Sequence, residues 1–237
     1  MQKPSKATLL VGSPKGPNST SNSLGTFLIE KLQENGVSCE KVYLNQCLAS
    51  KEKQQFMLQL IDKSDLIIVA SPLYVDSLHS QVIKTLELIA EHKKATPNLS
   101  KKSLVAISNS GFPEAQHNHI ALEVCRIFAK KVGFTWVGGL AMGGGGMISG
   151  RPLKEVGGAA RNQIKALQIS ADALAKGEAI PERAVVLMAK LGIPRWMYTW
   201  MGNHGWKKEA KKNIKVRSMY AQPCNGSQQL SEVKVNV

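Results

Sequence analysis

At 237 residues and 43% hydrophobic content, the chain is long enough for one large α/β domain, or for a domain with a substantial extension. No stretch approaches the length of a transmembrane helix, and Met1 to Lys6 lead straight into a strand without a charged-then-apolar leader pattern, so a cytoplasmic protein is expected. The net charge of +14 is uneven, +5 over residues 1–150 and +9 over 151–237; it suits anionic substrates or surfaces, but no recognition motif accompanies it and nucleic acid is not expected.

The first organised stretch is Thr8 to Leu32, TLLVGSPKGPNSTSNSLGTFLIEKL. Leu9, Leu10 and Val11 form a short apolar run that stops at Gly12, and Leu24, Phe27, Leu28 and Leu32 then repeat with helical spacing. The pattern predicts strand, loop, helix. The loop crowds Ser13, Ser19, Thr20, Ser21 and Ser23 with Asn18 and Asn22 just before a helix N-terminus, whose unpaired N–H groups and positive dipole end favour a phosphate. Gly-Lys-Ser/Thr is missing, and Gly12, Gly16 and Gly25 are wrongly spaced for a dinucleotide loop. Two readings fit: a terminal monophosphate gripped by side chains and backbone, or a Ser/Asn-rich turn with a helix cap.

Further along, Ser38 to Leu44 alternates as a half-buried strand, and Lys51 to Lys63 carries Phe56, Leu60 and Ile61 on one helical face. Asp65 to Ala70 (DLIIVA) is a continuous apolar run suited to a central parallel strand. Pro72 is expected to break it within Ser71 to Asp76, before a helix with Val82, Ile83, Leu86 and Ile89 inward. The unit recurs as strand Ser103 to Ile107, loop Ser108 to Glu114, and a helix from about His119 to Lys131. Thr135 to Leu140 is a fifth strand candidate, Gly143 to Gly146 follows, and residues 156–176 form another amphipathic helix. Strands alternating with helices predict a doubly wound, five-stranded parallel sheet covered on both faces. Loops 13–23, 71–77 and 108–114 then meet at the carboxyl edge, where such sheets bind ligands, which favours the phosphate reading.

Residues 1–178 are assigned to this domain and 179–237 to a basic, Trp-rich helical extension. A helix from near Arg195 would carry Trp196, Met197, Tyr198, Trp200 and Met201, interrupted by Gly202-Asn203-His204-Gly205 before Trp206 and the run Lys207 to Lys212. Its aromatics either pack on the domain or a second subunit, or form an interfacial membrane helix. The tail after Cys224 is polar and expected to fray. Cys39, Cys47, Cys125 and Cys224 are scattered and read as reduced thiols without metal spacing.

Residues 6–150 resemble the flavodoxin-like NAD(P)H-dependent oxidoreductases, the FMN reductase and azoreductase–quinone reductase type. Gly12, Ser13, Pro14, Ser19, Ser21 and Leu24 match the family's phosphate loop. Ser71-Pro72-Leu73-Tyr74 is similar to its Pro-aliphatic-Tyr loop along the flavin ring, and Asn109-Ser110-Gly111-Phe112 takes the place of its second ring loop. The compact cysteine cluster of iron–sulfur relatives is lacking.

The resemblance implies FMN with NADPH or NADH as co-substrate. Ser13, Ser19 and Ser21 would hold the phosphate, with Lys15, Asn22 and Ser23 as second choices and Lys15 alternatively facing solvent. Pro72, Leu73, Tyr74 and Val75 would flank one side of the ring, and Asn109, Ser110, Gly111 and Phe112 the other. Gly143 to Gly146 is either a rim of the site or only a loop, and His117 and His119 either serve an acceptor's protons or lie at the surface. It implies electron transfer from nicotinamide through flavin to a quinone, a nitro or azo compound, or free flavin, with no obligatory catalytic side chain and a homodimer covering the ring. The rivals are a non-enzymatic flavin electron carrier for a protein partner, which the +14 charge disfavours, and a basic-surface module with an empty flavin site.

Overall fold

The computed structural model describes residues 2–96 and 101–214. Its sheet is built from β1 (Lys6–Val11), β2 (Ser38–Tyr43), β3 (Leu66–Tyr74), β5 (Ser103–Asn109) and β6 (Thr135–Met142), with β4 (Ser77–Leu78) as a two-residue hairpin partner of β3. The order is β2-β1-β3-β5-β6, with every one of those neighbours parallel. The chain leaves β1 for β2 on one side and returns to β3 on the other, which puts the topological switch point between β1 and β3.

Period-two alternation explains why both faces are buried. Leu9 and Val11 of β1, Ile68 and Ala70 of β3, and Val105 and Ile107 of β5 face one core. Leu10, Ile67, Val69, Leu104 and Ala106 face the other. The first core is closed by α1 (Thr20–Glu34), α6 (Leu153–Val156), α7 (Arg161–Ala175) and α8 (Glu182–Ala189), through residues such as Leu28, Leu167, Leu174 and Met188. The second is closed by α2 (Leu44–Cys47), α3 (Lys51–Asp62), α4 (Ser80–Ala95) and α5 (His119–Val132). The result is the three-layer α/β/α sandwich expected from the pattern.

Three local expectations change. β3 does not stop before Pro72: Ser71 and Pro72 stay in register with Ser108 and Asn109, and the strand turns back through Leu73↔Leu78 and Tyr74↔Ser77. A proline survives there because it lacks only the donor, and the strand is ending. In α3, Ile61 is buried as expected and Leu60 packs half-buried beside it, but Met57 takes the inward place expected of Phe56, which is exposed.

The third change concerns the chain after α7. The first compact unit runs Met1–Gly192, beyond the boundary drawn at 178, and takes in α8, whose Ala184 and Met188 are buried in the first core. Ile180 donates its N–H to Val137 O of edge strand β6, and Gly138 (φ +129°) makes room for it. A second unit begins at Ile193 and contains α9 (Arg195–Asn213). α9 is continuous, so Gly202-Asn203-His204-Gly205 does not interrupt it; each glycine weakens a helix by about 1 kcal/mol but, unlike proline, leaves its hydrogen bonds intact. The expected tail after Cys224 lies outside the described residues.

Candidate functional site

A cleft of about 310 Å³ opens at the carboxyl edge, above the switch point between β1 and β3. Three loops meet there: Ser13, Lys15, Asn18, Ser19, Thr20 and Ser21 from the first, Pro72, Leu73 and Tyr74 from the second, and Asn109, Ser110 and Gly111 from the third. A fourth segment, Gly145, Gly146 and Ser149, borders it as well. Of the two readings of the glycine run, the rim is therefore the one the structure adopts.

The first loop turns into α1 by side-chain capping. Ser19 Oγ accepts from Asn22 N–H (3.1 Å) and donates to Gly16 O (2.7 Å), so it serves as the N-cap. Thr20 Oγ1 donates to Gly145 O (2.9 Å), tying α1 to the glycine loop. Ser23 Oγ donates to Ser19 O (3.2 Å). Two hydroxyls are disposed differently. Ser21 Oγ accepts from Asn109 Nδ2 (2.8 Å) and Ser13 Oγ accepts from Lys15 N–H (3.4 Å), which leaves both with a proton to donate. The helix itself supplies no acceptor for the N–H groups of Thr20 and Ser21 in its first turn.

Beneath the cleft, two buried asparagines hold the loops. Asn109 Nδ2 donates to Ser71 O (3.2 Å) as well as to Ser21, joining the ends of β3, β5 and α1. Asn118 is fully buried; its Nδ2 donates to Ser110 Oγ, Ala115 O and Met142 O, and its Oδ1 accepts from Ser108 Oγ (2.8 Å). Gly143 is required beside them, because a Cβ there would lie 2.3 Å from Pro113 O.

The cleft is electropositive in character. Lys15 lines it, the N-terminus of α1 points at it, and no carboxylate is among its described lining residues. The Pro72–Tyr74 edge of the cleft is partly apolar, with Tyr74 half-exposed and tilted against His79 (ring centroids 5.1 Å). The hairpin tip beyond it is strained: Val75 (φ 47°) and Asp76 (φ 57°) are both left-handed, an uncommon state for a β-branched residue.

Ten of the residues expected at the site line the cleft: Ser13, Lys15, Ser19, Ser21, Pro72, Leu73, Tyr74, Asn109, Ser110 and Gly111. Four do not. Asn22 and Ser23 turn to the far side of α1, where they border a second cleft, and Asn22 Oδ1 accepts from Lys41 Nζ (3.3 Å) and Tyr43 OH (3.1 Å). Helical geometry sends residues two apart in different directions, so Ser21 and Ser23 cannot share one ligand. Val75 sits on the hairpin tip and Phe112 is exposed beside His117 (ring centroids 5.1 Å). His117 and His119 are exposed and line no part of the cleft. Ser149 lines the cleft without any signal in the sequence, Gly145 and Gly146 do so as part of the glycine run, and Asn18 and Thr20 were marked only by the hydroxyl and asparagine crowding of the first loop.

Among the described residues, Cys39 and Cys125 are held as neutral thiols. Burial pushes Cys125 up to about 12, and burial with the Glu40 charge pushes Cys39 up to about 11. Among the described residues, no group of three His, Cys, Asp or Glu could hold a metal ion.

No protein-family model matches the sequence, and no curated protein does. Solved structures match the fold. The Trp repressor binding protein of Bacillus subtilis is 12% identical, with a TM-score of 0.52, covering 68% of this chain and 95% of that one. The flavodoxin of Streptococcus pneumonia TIGR4 is 15% identical, with a TM-score of 0.51, covering 73% and 99%. The FMN-dependent NADH-azoreductase of Bacillus anthracis, solved with FMN, is 14% identical, with a TM-score of 0.50, covering 72% and 99%. At such identities the likeness is one of fold, and the fold of this chain is flavodoxin-like.

Proposed function

We propose that the carboxyl-edge cleft holds FMN and that the protein is an NAD(P)H-dependent oxidoreductase. One observation carries this reading: the spare hydroxyl protons of Ser13 and Ser21 and the open N–H groups of α1 face a cleft without carboxylates, flanked by two backbone edges. A phosphate monoester needs several donors and no nearby anion, and the first loop offers that set. In this reading Pro72–Tyr74 and Asn109–Gly111, which both line the cleft, would border the ring, and the cleft volume lies at the lower end of the range for small-ligand sites. The FMN-bound azoreductase of the same fold adds support from outside the chain.

When bound, the flavin would supply hydride acceptance from a nicotinamide and electron delivery to a small acceptor such as a quinone, a nitro or azo compound, or free flavin. The chain's own part is to bind and orient. Ser13, Ser21 and the Thr20 and Ser21 N–H groups hold the phosphate; Ser19 and Thr20 hold those donors in place through their own bonds. Lys15 adds a cation at the mouth. Tyr74 narrows the ring side, and a second copy of the chain would cover what remains open, which makes a homodimer part of the proposal.

The test is a visible spectrum of the purified protein before and after adding FMN. A bound yellow chromophore, bleached by NADPH or NADH and restored by a quinone, is the expected result. Failure to take up FMN at all would sink the reading, while uptake without nicotinamide oxidation would leave an electron carrier. Sedimentation of the FMN-loaded protein as a fully active monomer would remove the dimer.

A further inference from the structure

α9 is a separate problem from the cleft. It is 19 residues long, about 28 Å, and belongs to the second unit. It carries three of the chain's four tryptophans, and Trp196 (72%), Trp200 (63%) and Trp206 (74%) are mostly exposed. Large apolar side chains in water at this density call for a partner.

The arrangement along the helix identifies the partner's chemistry. At 100° per residue, Trp196, Met197, Trp200 and Met201 fall on one face of the first half. Lys207, Lys208, Lys211 and Lys212 fall on the same face of the second half. Polarity therefore changes along the axis rather than around it: one side of the helix is aromatic and thioether at its start and cationic at its end. The opposite side holds Thr199, Gly202, Asn203 and Gly205, with Tyr198 and Trp206 set apart among them rather than grouped. Glu209 is the helix's only carboxylate; it lies off the lysine face, though it pairs with Lys212 (2.8 Å).

We propose that this face of α9 docks on an anionic lipid surface. Trp and Met would enter the boundary between headgroups and acyl chains, where an indole ring buries its body and keeps its N–H wet. The four lysines would lie along the headgroups, their stems covering apolar surface and their ammonium groups meeting lipid phosphates. The helix lies on the membrane, for no described helix is long and apolar enough to cross one. Charge separates this occupant from two others. A second copy of α9 laid parallel would set lysines against lysines, and laid antiparallel would set each lysine end against an apolar end that offers it no anion. Nucleic acid would satisfy the lysines and stack on the indoles but would offer Met197 and Met201 no apolar phase to enter. The proposal stands apart from the flavin reading, since none of these residues lines the cleft.

The experiment is flotation of the full chain with vesicles of phosphatidylcholine alone or mixed with phosphatidylglycerol, with tryptophan emission recorded in parallel. Binding at least about tenfold tighter to the anionic vesicles, weakened by salt and accompanied by a blue shift, is expected. Trp196→Ala with Trp200→Ala should weaken it at least about tenfold, and Lys207→Gln, Lys208→Gln, Lys211→Gln and Lys212→Gln together should abolish the anionic preference. Trp206→Ala, on the opposite face, should bind as the parent does. FMN uptake is the independent readout and should be the same in every variant. A parent protein that stays in solution with both vesicles overturns the proposal, as does anionic binding that survives both sets of changes. A dimer that falls apart on changing Trp196 and Trp200, without vesicle binding, would assign the face to a second copy instead.

Discussion

The two ends of the sheet use polar residues in opposite ways. At the amino edge they are spent on one another. Thr8 Oγ1 and Ser64 Oγ lie 2.7 Å apart, and Ser64 Oγ also donates to Leu60 O (2.9 Å). Asp65 accepts from Ser5 N–H, Ser5 Oγ and Lys6 N–H at 2.8 to 3.0 Å. Lys102, fully buried, donates to the carbonyls of Asp62 (2.7 Å) and Ser64 (2.8 Å). At the carboxyl edge, Ser13 and Ser21 keep protons in reserve, and Thr20 and Ser21, whose N–H groups the helix leaves without an acceptor, line the cleft. A buried polar group whose capacity is filled holds the fold; one left with spare capacity beside a cleft is available to a ligand.

The largest test of that contrast removes the hub beneath the cleft. Asn118→Ala strips the buried partners of Ser108, Ser110 and two carbonyls, and chemical denaturation should show a loss of about 3 kcal/mol with FMN binding impaired as well. Ser21→Ala should instead weaken FMN binding about tenfold, about 1.4 kcal/mol, with a smaller change in stability of the ligand-free protein. Ser19→Ala is its mirror: the lost cap costs about 1 kcal/mol in folding, and the effect on FMN follows only from the loosened turn. If the two serine variants behave alike in titration and denaturation, the distinction between spent and spare hydroxyls fails.

The amino edge gives the converse. Burial alone would raise the Asp65 carboxyl, but hydrogen bonds from Ser5 and Lys6 and the Lys102 charge hold it below the usual carboxylate value. A pKa lower in the folded than in the unfolded state stabilises above the unfolded value, about 3.9, and that contribution is lost as pH falls through the folded value. Asp65→Asn should therefore cost about 1 kcal/mol near neutrality, a gap that closes on acidification, while FMN binding is unchanged. The smallest effect concerns the hairpin. Val75→Gly relieves a left-handed β-branched residue and should stabilise by up to about 1 kcal/mol, read as a rise in melting temperature.

Much of the fold was legible because its signals are local. Continuous apolar runs such as Leu66–Ala70 and helical repeats such as Leu24, Leu28 and Leu32 carry their own periods, and alternation of the two types implies a parallel sheet. The misreadings arose where a distant contact decides. Pro72 stays in β3 because Asn109 pairs with it, and residues beyond 178 join the first unit because Gly138 lets Ile180 lie against β6.

The candidate site divides the same way. Residue types and order alone placed three loops at one sheet edge, since parallel strands joined by helices send alternate loops to the same end. They could not say which serine of the first loop faces the cleft. That depends on the phase of α1 against Asn109, on the Thr20 bond to Gly145 more than a hundred positions away, and on Lys41 and Tyr43 holding Asn22 on the far side. Composition determined that α9 is aromatic and basic; only an unbroken helix put Trp196 and Trp200 on one face with the four lysines and turned Trp206 away. Local order sets which elements form, whereas the direction of each side chain is settled by partners that the fold brings from elsewhere in the chain.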